Sequence, residues 1–313
     1  EDKQEDKQED KQEDKQEDMK ELIDCLVINS WVYWVVLASY FMALGCCIIA
    51  EFYIPSLLSY GKTLESRNVN STISASSTVS ASSTVSASSI VSVSSTANAS
   101  SSANYQVLNI KVYKKWFIHF YILSCLLLCL SIYIGKTTNV KLLYLLHCFR
   151  RMVECYIYMY CRPAKASNKK PSYMNISHYL VGLWFYTTFN YLLYKQDLLQ
   201  YTPPCLWMQS AGLVLFFLFE IDQFVNHYYL STLHSYAYPR KFLFQYVYCP
   251  HYFDEIMIYT GLMLYSGIPI IEKLCVVGWV AGNLGMSALN NKKYYMRKYK
   301  DEKVKWAIIV GVL

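Results

Sequence analysis

The sequence predicts an all-α, polytopic membrane protein with about seven transmembrane helices. Three observations carry this. Of 313 residues, 54% are hydrophobic and only 17% are charged. Apolar runs long enough to cross a bilayer recur along the chain, and the run at 31–50, WVYWVVLASYFMALGCCIIA, holds no charge in 20 positions. In lipid a helix is the only open-chain form that satisfies its own backbone. The mean hydropathy of +0.16 understates the signal, because a charged N-terminus and a serine tract dilute an apolar remainder.

Taken in order, residues 1–18 are built on the repeat EDKQ. That period gives no apolar face, so it reads as a solvated tail, and Met19 reads as a start. Residues 19–65 hold the first span, expected to be an uncleaved anchor, and the short stretch YGKT at 60–63. Residues 66–104 are a Ser-rich loop, with five hexads of the STVSAS kind at 71–100 and glycosylation sequons at Asn70 and Asn98. Residues 105–313 form the main membrane domain. Its spans are 116–134, 141–161, 178–194 and 204–230, followed by 255–289, which is long enough for two helices broken near Gly267–Pro269.

The net charge of +6 gathers partly in NNKKYYMRKYKDEKVKW at 290–306. A basic end beside an apolar run predicts the cytosolic side. No nucleic-acid motif accompanies it, so no nucleic-acid partner is expected. The 11 cysteines are scattered, mostly within apolar runs, and read as small apolar residues and not as a metal or disulfide framework.

Polar clusters interrupt the spans. His147, Arg150, Arg151 and Glu154 fall on one helical face. A charge at mid-bilayer costs at least ~2.5–3.5 kcal/mol, so such a face should meet protein or a water-filled cavity. A snorkelling helix end is the plain reading; an anion site is the functional one, since two arginines outnumber one glutamate. Glu220, Asp222, Gln223, Asn226 and His227 form a second cluster, which an interfacial cap would also explain. Pro250 can open a helix that carries His251 and Glu255 at i and i+4, without a third ligand that would make a metal site. The Lys- and Tyr-rich tail is the fourth. From residues alone this is a membrane enzyme or transporter with an anionic ligand.

Several segments together resemble the steroid 5α-reductase family, in its polyprenol reductase branch. They are YGK at 60–62, VYKKWFIHFYILS at 112–124, LHCFRRMVECYIY at 146–158, YPRKFLFQYVYCPHYFDEIMIY at 238–259 and SALNNKKYYMRKY at 287–299. The resemblance implies seven helices enclosing a cofactor and substrate cavity, in the endoplasmic reticulum membrane. It implies NADPH as cofactor and a polyprenyl lipid as substrate, reduced at its α-isoprene unit in dolichol biosynthesis for protein N-glycosylation. No obligate protein partner is implied. A carbonyl can carry the charge that hydride addition creates, which favours the aldehyde over the alcohol as direct substrate.

Carried over by position, His119, Glu255 and Tyr295 would be catalytic. Arg151, Gln223, His227, His251 and Lys305 would hold the cofactor, and His147, Cys148 and Glu154 would line the substrate. Cys148 stands where steroid reductases have a tyrosine that bonds the substrate carbonyl, so His119 is the expected substitute donor. Lys241 replaces a family glycine, and the tail KDEKVKWAIIVGVL departs from the family's. Isoprenylcysteine carboxyl methyltransferases are similar in their C-terminal helices and would use S-adenosylmethionine; HCFRRMVEC and HFYILS lie outside that shared region and favour a reductase. A non-catalytic membrane protein is the remaining alternative.

Overall fold

A computed structural model describes residue 21 and residues 30–53, 110–158, 172–199, 202–233, 237–300, 305–309 and 311. The EDKQ tail, the YGKT stretch, the serine hexads and the sequons at Asn70 and Asn98 lie outside these. Among the described residues, seven helices of 16 residues or more follow one another: α1 (Ser30–Tyr53), α2 (Phe117–Ile134), α3 (Asn139–Tyr156), α4 (Ile176–Leu198), α5 (Leu206–Thr232), α6 (Pro250–Tyr265) and α7 (Ile270–Lys298). Among the described residues, four segments, Trp31–Tyr53, Lys114–Ile134, Leu206–Thr232 and Ile270–Lys298, are long and apolar enough to cross a membrane by themselves. The protein is a multi-pass membrane protein.

Local signals act where the sequence places them. Pro250 occupies the first turn of α6, where a missing N–H costs nothing. α6 and α7 are separated by Ser266 to Pro269, with Pro269 as the N-cap of α7. Asn175 caps α4, its side chain accepting from the Ser177 backbone N–H at 3.1 Å. Two short strands, β1 (Lys111–Tyr113) and β2 (Tyr173–Asn175), pair antiparallel with Val112 opposite Met174. They bring the starts of α2 and α4 side by side.

The packing turns polar residues inward and apolar ones outward. On α5, Val214, Leu218 and Ile221 are exposed while Glu220, Gln223 and Asn226 are buried. On α3, Leu146, Phe149 and Val153 face out while His147 and Glu154 are buried. That is the arrangement expected when the solvent outside is lipid. A snorkelling helix end therefore does not describe α3.

α5 and α6 meet backbone to backbone at Gly212 and Gly261. A Cβ on Gly212 would stand 2.7 Å from the Gly261 carbonyl oxygen, and one on Gly261 would stand 2.8 Å from the Gly212 carbonyl oxygen. Small residues allow such close approach where no hydrophobic effect presses helices together. This contact sets the polar faces of α5 and α6 beside one another.

Candidate active site

The first three polar clusters converge. Arg150 on α3 donates through Nε to Glu220 of α5, through Nη1 to Glu154 one turn on, and through Nη2 to Gln223 Oε1 at 2.5 Å. Gln223 is thereby oriented: its amide nitrogen donates to Glu255 Oε2 of α6 at 2.5 Å and lies 3.3 Å from the His251 carbonyl oxygen. Arg151 Nη1 donates to Glu154 Oε2 at 2.5 Å and lies 2.8 Å from His227 Nδ1. His147 bridges Glu220, 2.5 Å from Nδ1, and Glu255, 3.4 Å from Nε2. α3, α5 and α6 are thus cross-linked by one buried network.

This corrects one expectation. The α3 face alone would leave positive charge for an anion, but Glu220 and Glu255 arrive from other helices. Two guanidinium groups then meet three carboxylates, so no surplus positive charge remains for a phosphate. The pairs come from separate helices, and spacing along one helix does not reveal them.

The network forms the polar side of a cavity with about 880 Å3 of empty space, its open mouth included. Arg151, Gln223, His227, His251 and Glu255 line that side. The other side is aromatic and aliphatic: Phe117, Phe120, Phe185, Tyr186, Trp279 and Leu284, from α2, α4 and α7. Tyr121 lies beneath the Arg151 guanidinium at 5.2 Å and also lines the space. One end can hold polar groups and the other a hydrocarbon.

Residues 163–313 match a family profile described as 3-oxo-5-alpha-steroid 4-dehydrogenase. A protein of Saccharomyces cerevisiae named polyprenal reductase is 32% identical over 281 residues, covering 88% of this chain and 93% of that protein. The chain belongs to the steroid 5α-reductase family, in its polyprenal reductase branch. Polyprenal reductase 1 of Oryza sativa subsp. indica is 33% identical over 110 residues, 33% of this chain and 31% of that protein. The polyprenal reductase of Danio rerio is 24% identical over 185 residues, 53% of this chain and 56% of that protein. Membership in the reductase family makes the chain an oxidoreductase acting on C=C bonds, with a nicotinamide cofactor. The methyltransferase alternative is not favoured.

The cavity fits the nicotinamide end of such a cofactor. The Arg151 Nε–H is buried with no hydrogen-bond partner among the described residues, which suits a carboxamide or carbonyl acceptor. Aromatic rings opposite it suit a flat ring. No three His, Cys, Asp or Glu side chains among the described residues are placed to hold a metal ion.

The family-implied positions divide into three groups. Arg151, Gln223, His227, His251 and Glu255 line the cavity, while His147 and Glu154 stand behind them in the network. Cys148 is fully buried, its thiol donating to Ser124 Oγ at 3.3 Å, outside the lining. His119, Tyr295 and Lys305 are also outside it. His119 Nδ1 lies 3.0 Å from the Tyr179 hydroxyl. Tyr295 packs between Tyr238 and Tyr248, with ring centroids at 5.7 and 5.6 Å. Lys305 donates to the carbonyl oxygens of Pro239 at 2.8 Å and Phe244 at 2.6 Å. His119, the expected donor, is therefore not among the residues that line the cavity. The aromatic wall and Tyr259 are lining residues that polar patterning passes over. Tyr259 had one available signal, its place one turn after Glu255.

Proposed function

We propose that this protein reduces the α-isoprene double bond of polyprenal with NADPH, in the endoplasmic reticulum membrane, on the way to dolichol and protein N-glycosylation. The observation that carries the proposal is a single cavity with a cross-linked polar end and an aromatic, hydrocarbon-compatible side, in a chain related over most of its length to a polyprenal reductase. The substrate fits that division: a polar aldehyde head on an apolar chain.

When bound, the dihydronicotinamide supplies a hydride. Arg151, Gln223, His227 and His251 would hold its polar groups, and Glu255 would fix Gln223 and take part in orienting the ring. The aromatic side formed by α2, α4 and α7 would align the first isoprene unit and exclude water from it. Positioning of this kind turns an encounter into an effectively intramolecular step. Because the arginines are committed to carboxylates, the cofactor phosphates would be met elsewhere, by the basic end of α7 at Lys292, Arg297 and Lys298. The same basic end favours a cytosolic C-terminus.

The test uses membranes from a host lacking its own enzyme. Membranes carrying this chain should convert polyprenal to the α-saturated aldehyde with NADPH and more slowly with NADH. Binding of S-adenosylmethionine with no reduction under either nucleotide would sink the reading.

A further inference from the structure

The reduction needs a donor for the aldehyde oxygen, and the position that supplies it in steroid reductases is Cys148 here. Its thiol is spent on Ser124, outside the cavity, and His119 is turned to Tyr179. The donor has to be a lining group whose hydrogens are not committed elsewhere. Arg151, Gln223, His227 and Glu255 belong to the network that would hold the cofactor. Tyr121 is hydrogen-bonded to Tyr186, and Tyr259 to Tyr144. Tyr252 is joined to Asn291, whose Nδ2 lies 3.4 Å from its hydroxyl. His178 and His251 stand in the first turns of α4 and α6, at the mouth, with ring centroids 5.9 Å from Phe117 and 4.4 Å from Tyr252. Among the lining residues this leaves Asn283 and Ser287 of α7.

Both point into the space. One residue is a rotation of about 100°, so the lining positions of α7, Trp279, Val280, Asn283, Leu284 and Ser287, cover about 140° of its surface. Asn283 and Ser287 fall inside that arc and not at its edges. Neither side chain is hydrogen-bonded to another described residue, and the polar atoms of both keep accessible surface. An amide set among Trp279, Val280 and Leu284 on a membrane helix is costly, and it is explained when its acceptor arrives with a ligand.

Depth separates the two. The Asn291–Tyr252 contact fixes the register of α7 against α6, which runs the other way. At 1.5 Å per residue, Ser287 lies about 6 Å deeper than that contact, near the level of Glu255, where the nicotinamide would sit. Asn283 lies about 12 Å deeper, near the level of Tyr259, where the polar end gives way to Phe185, Tyr186 and Trp279. An aldehyde head on an apolar chain changes character at that same boundary.

Resting on the polyprenal reading above, we infer that the Asn283 side-chain amide is the donor that holds the aldehyde oxygen and stabilises its developing negative charge. The hydride adds to C3 with its electron pair. The C2=C3 pair becomes the C1–C2 double bond, and the carbonyl pair moves onto oxygen. Asn283 keeps its proton and shares it by hydrogen bond. A solvent proton then adds to C2, and the oxygen pair restores the carbonyl. Donors aimed at charge that develops in the transition state act with little reorganisation.

The experiment compares full-length wild type, Asn283→Leu and Ser287→Ala in detergent, by kcat and KM for polyprenal, NADPH binding and melting temperature. Wild-type turnover tests the functional reading first; its absence would overturn that reading and this one together. With wild type active, Asn283→Leu should lower kcat by about 10²–10³, the range for removing one such donor. KM and NADPH binding should stay within a few fold, and the melting temperature should be unchanged or raised, because an unpaired amide is replaced by an apolar group of similar size. Ser287→Ala should keep kcat within a few fold of wild type. Full kcat in Asn283→Leu would overturn the assignment and leave the functional reading standing. A loss of kcat in Ser287→Ala as large as that in Asn283→Leu would also overturn it. So would a fall in kcat accompanied by a lowered melting temperature and lost NADPH binding, which would make Asn283 a packing residue. If Asn283→Leu fails to accumulate, Asn283→Asp keeps the shape and exchanges the N–H donor for an acceptor; a comparable loss of kcat at an unchanged melting temperature supports the role, and an unchanged kcat overturns it.

Discussion

Gln223 donates its side-chain amide to Glu255 across the α5–α6 interface at 2.5 Å, while its carbonyl oxygen accepts from Arg150 at 2.5 Å. One amide thereby links an arginine of α3 to a carboxylate of α6 at the polar end of the cavity. Both of its hydrogen-bonding ends are used, so its orientation is fixed by charge on either side.

Gln223→Leu should remove that link with little change of volume. It leaves Glu255 without its amide donor, and an unsatisfied buried group costs about 1–3 kcal/mol. The expected effect on kcat/KM for polyprenal is a fall of roughly tenfold to a hundredfold. Steady-state turnover in detergent checks it.

Glu154→Ala should act on stability before activity. Glu154 answers Arg150, Arg151 and His227 together. Removing one partner from a buried pair typically costs about 3–5 kcal/mol, because uncompensated charge stays behind. A marked fall in melting temperature is expected, larger than for Lys293→Ala, whose partner Glu51 forms a pair with Lys293 half exposed.

The Gly212–Gly261 contact predicts a sharp asymmetry among glycines. Gly261→Ala puts a methyl 2.8 Å from a backbone carbonyl oxygen, and backbone cannot swing aside. α5 and α6 should be forced apart, lowering both folded yield and turnover. Gly278→Ala on α7 meets nothing within 4 Å and should be neutral in the same thermal and activity assays.

Gly182 tests the apolar side. A Cβ there would fall 2.5 Å from the edge of the Phe120 ring, a movable side chain that also lines the cavity. Gly182→Ala should displace the ring, raising KM for polyprenal several-fold with a smaller change in kcat. Adding Phe120→Leu should recover KM, which kinetics on the double variant would read.

The sequence shows more of the membrane architecture than of the site. Uncharged runs announce α1, α2, α5 and α7, and Gly267–Pro269 announces the α6–α7 break, because length and backbone breakers act locally. The inward face of α3 is legible too: lipid penalises His147 and Glu154, and helical spacing groups them. What α3 meets is not legible. Glu220 and Glu255 reach it through tertiary packing set by Gly212 and Gly261, which reverses the charge balance that α3 alone suggests. His119 shows a second limit. Resemblance locates a position along a helix, but one residue is a rotation of about 100°. Phe120 and Tyr121 line the cavity, while His119 turns to Tyr179.

The most direct test of the central claim follows a label from cofactor to product. Purified protein in detergent is given polyprenal and NADPH carrying deuterium at C4 of the dihydronicotinamide, and the product is read by mass spectrometry and NMR. The account predicts an aldehyde with one deuterium at C3 and none at C1. Deuterium at C1, which marks reduction of the carbonyl to an alcohol with the double bond intact, would contradict it.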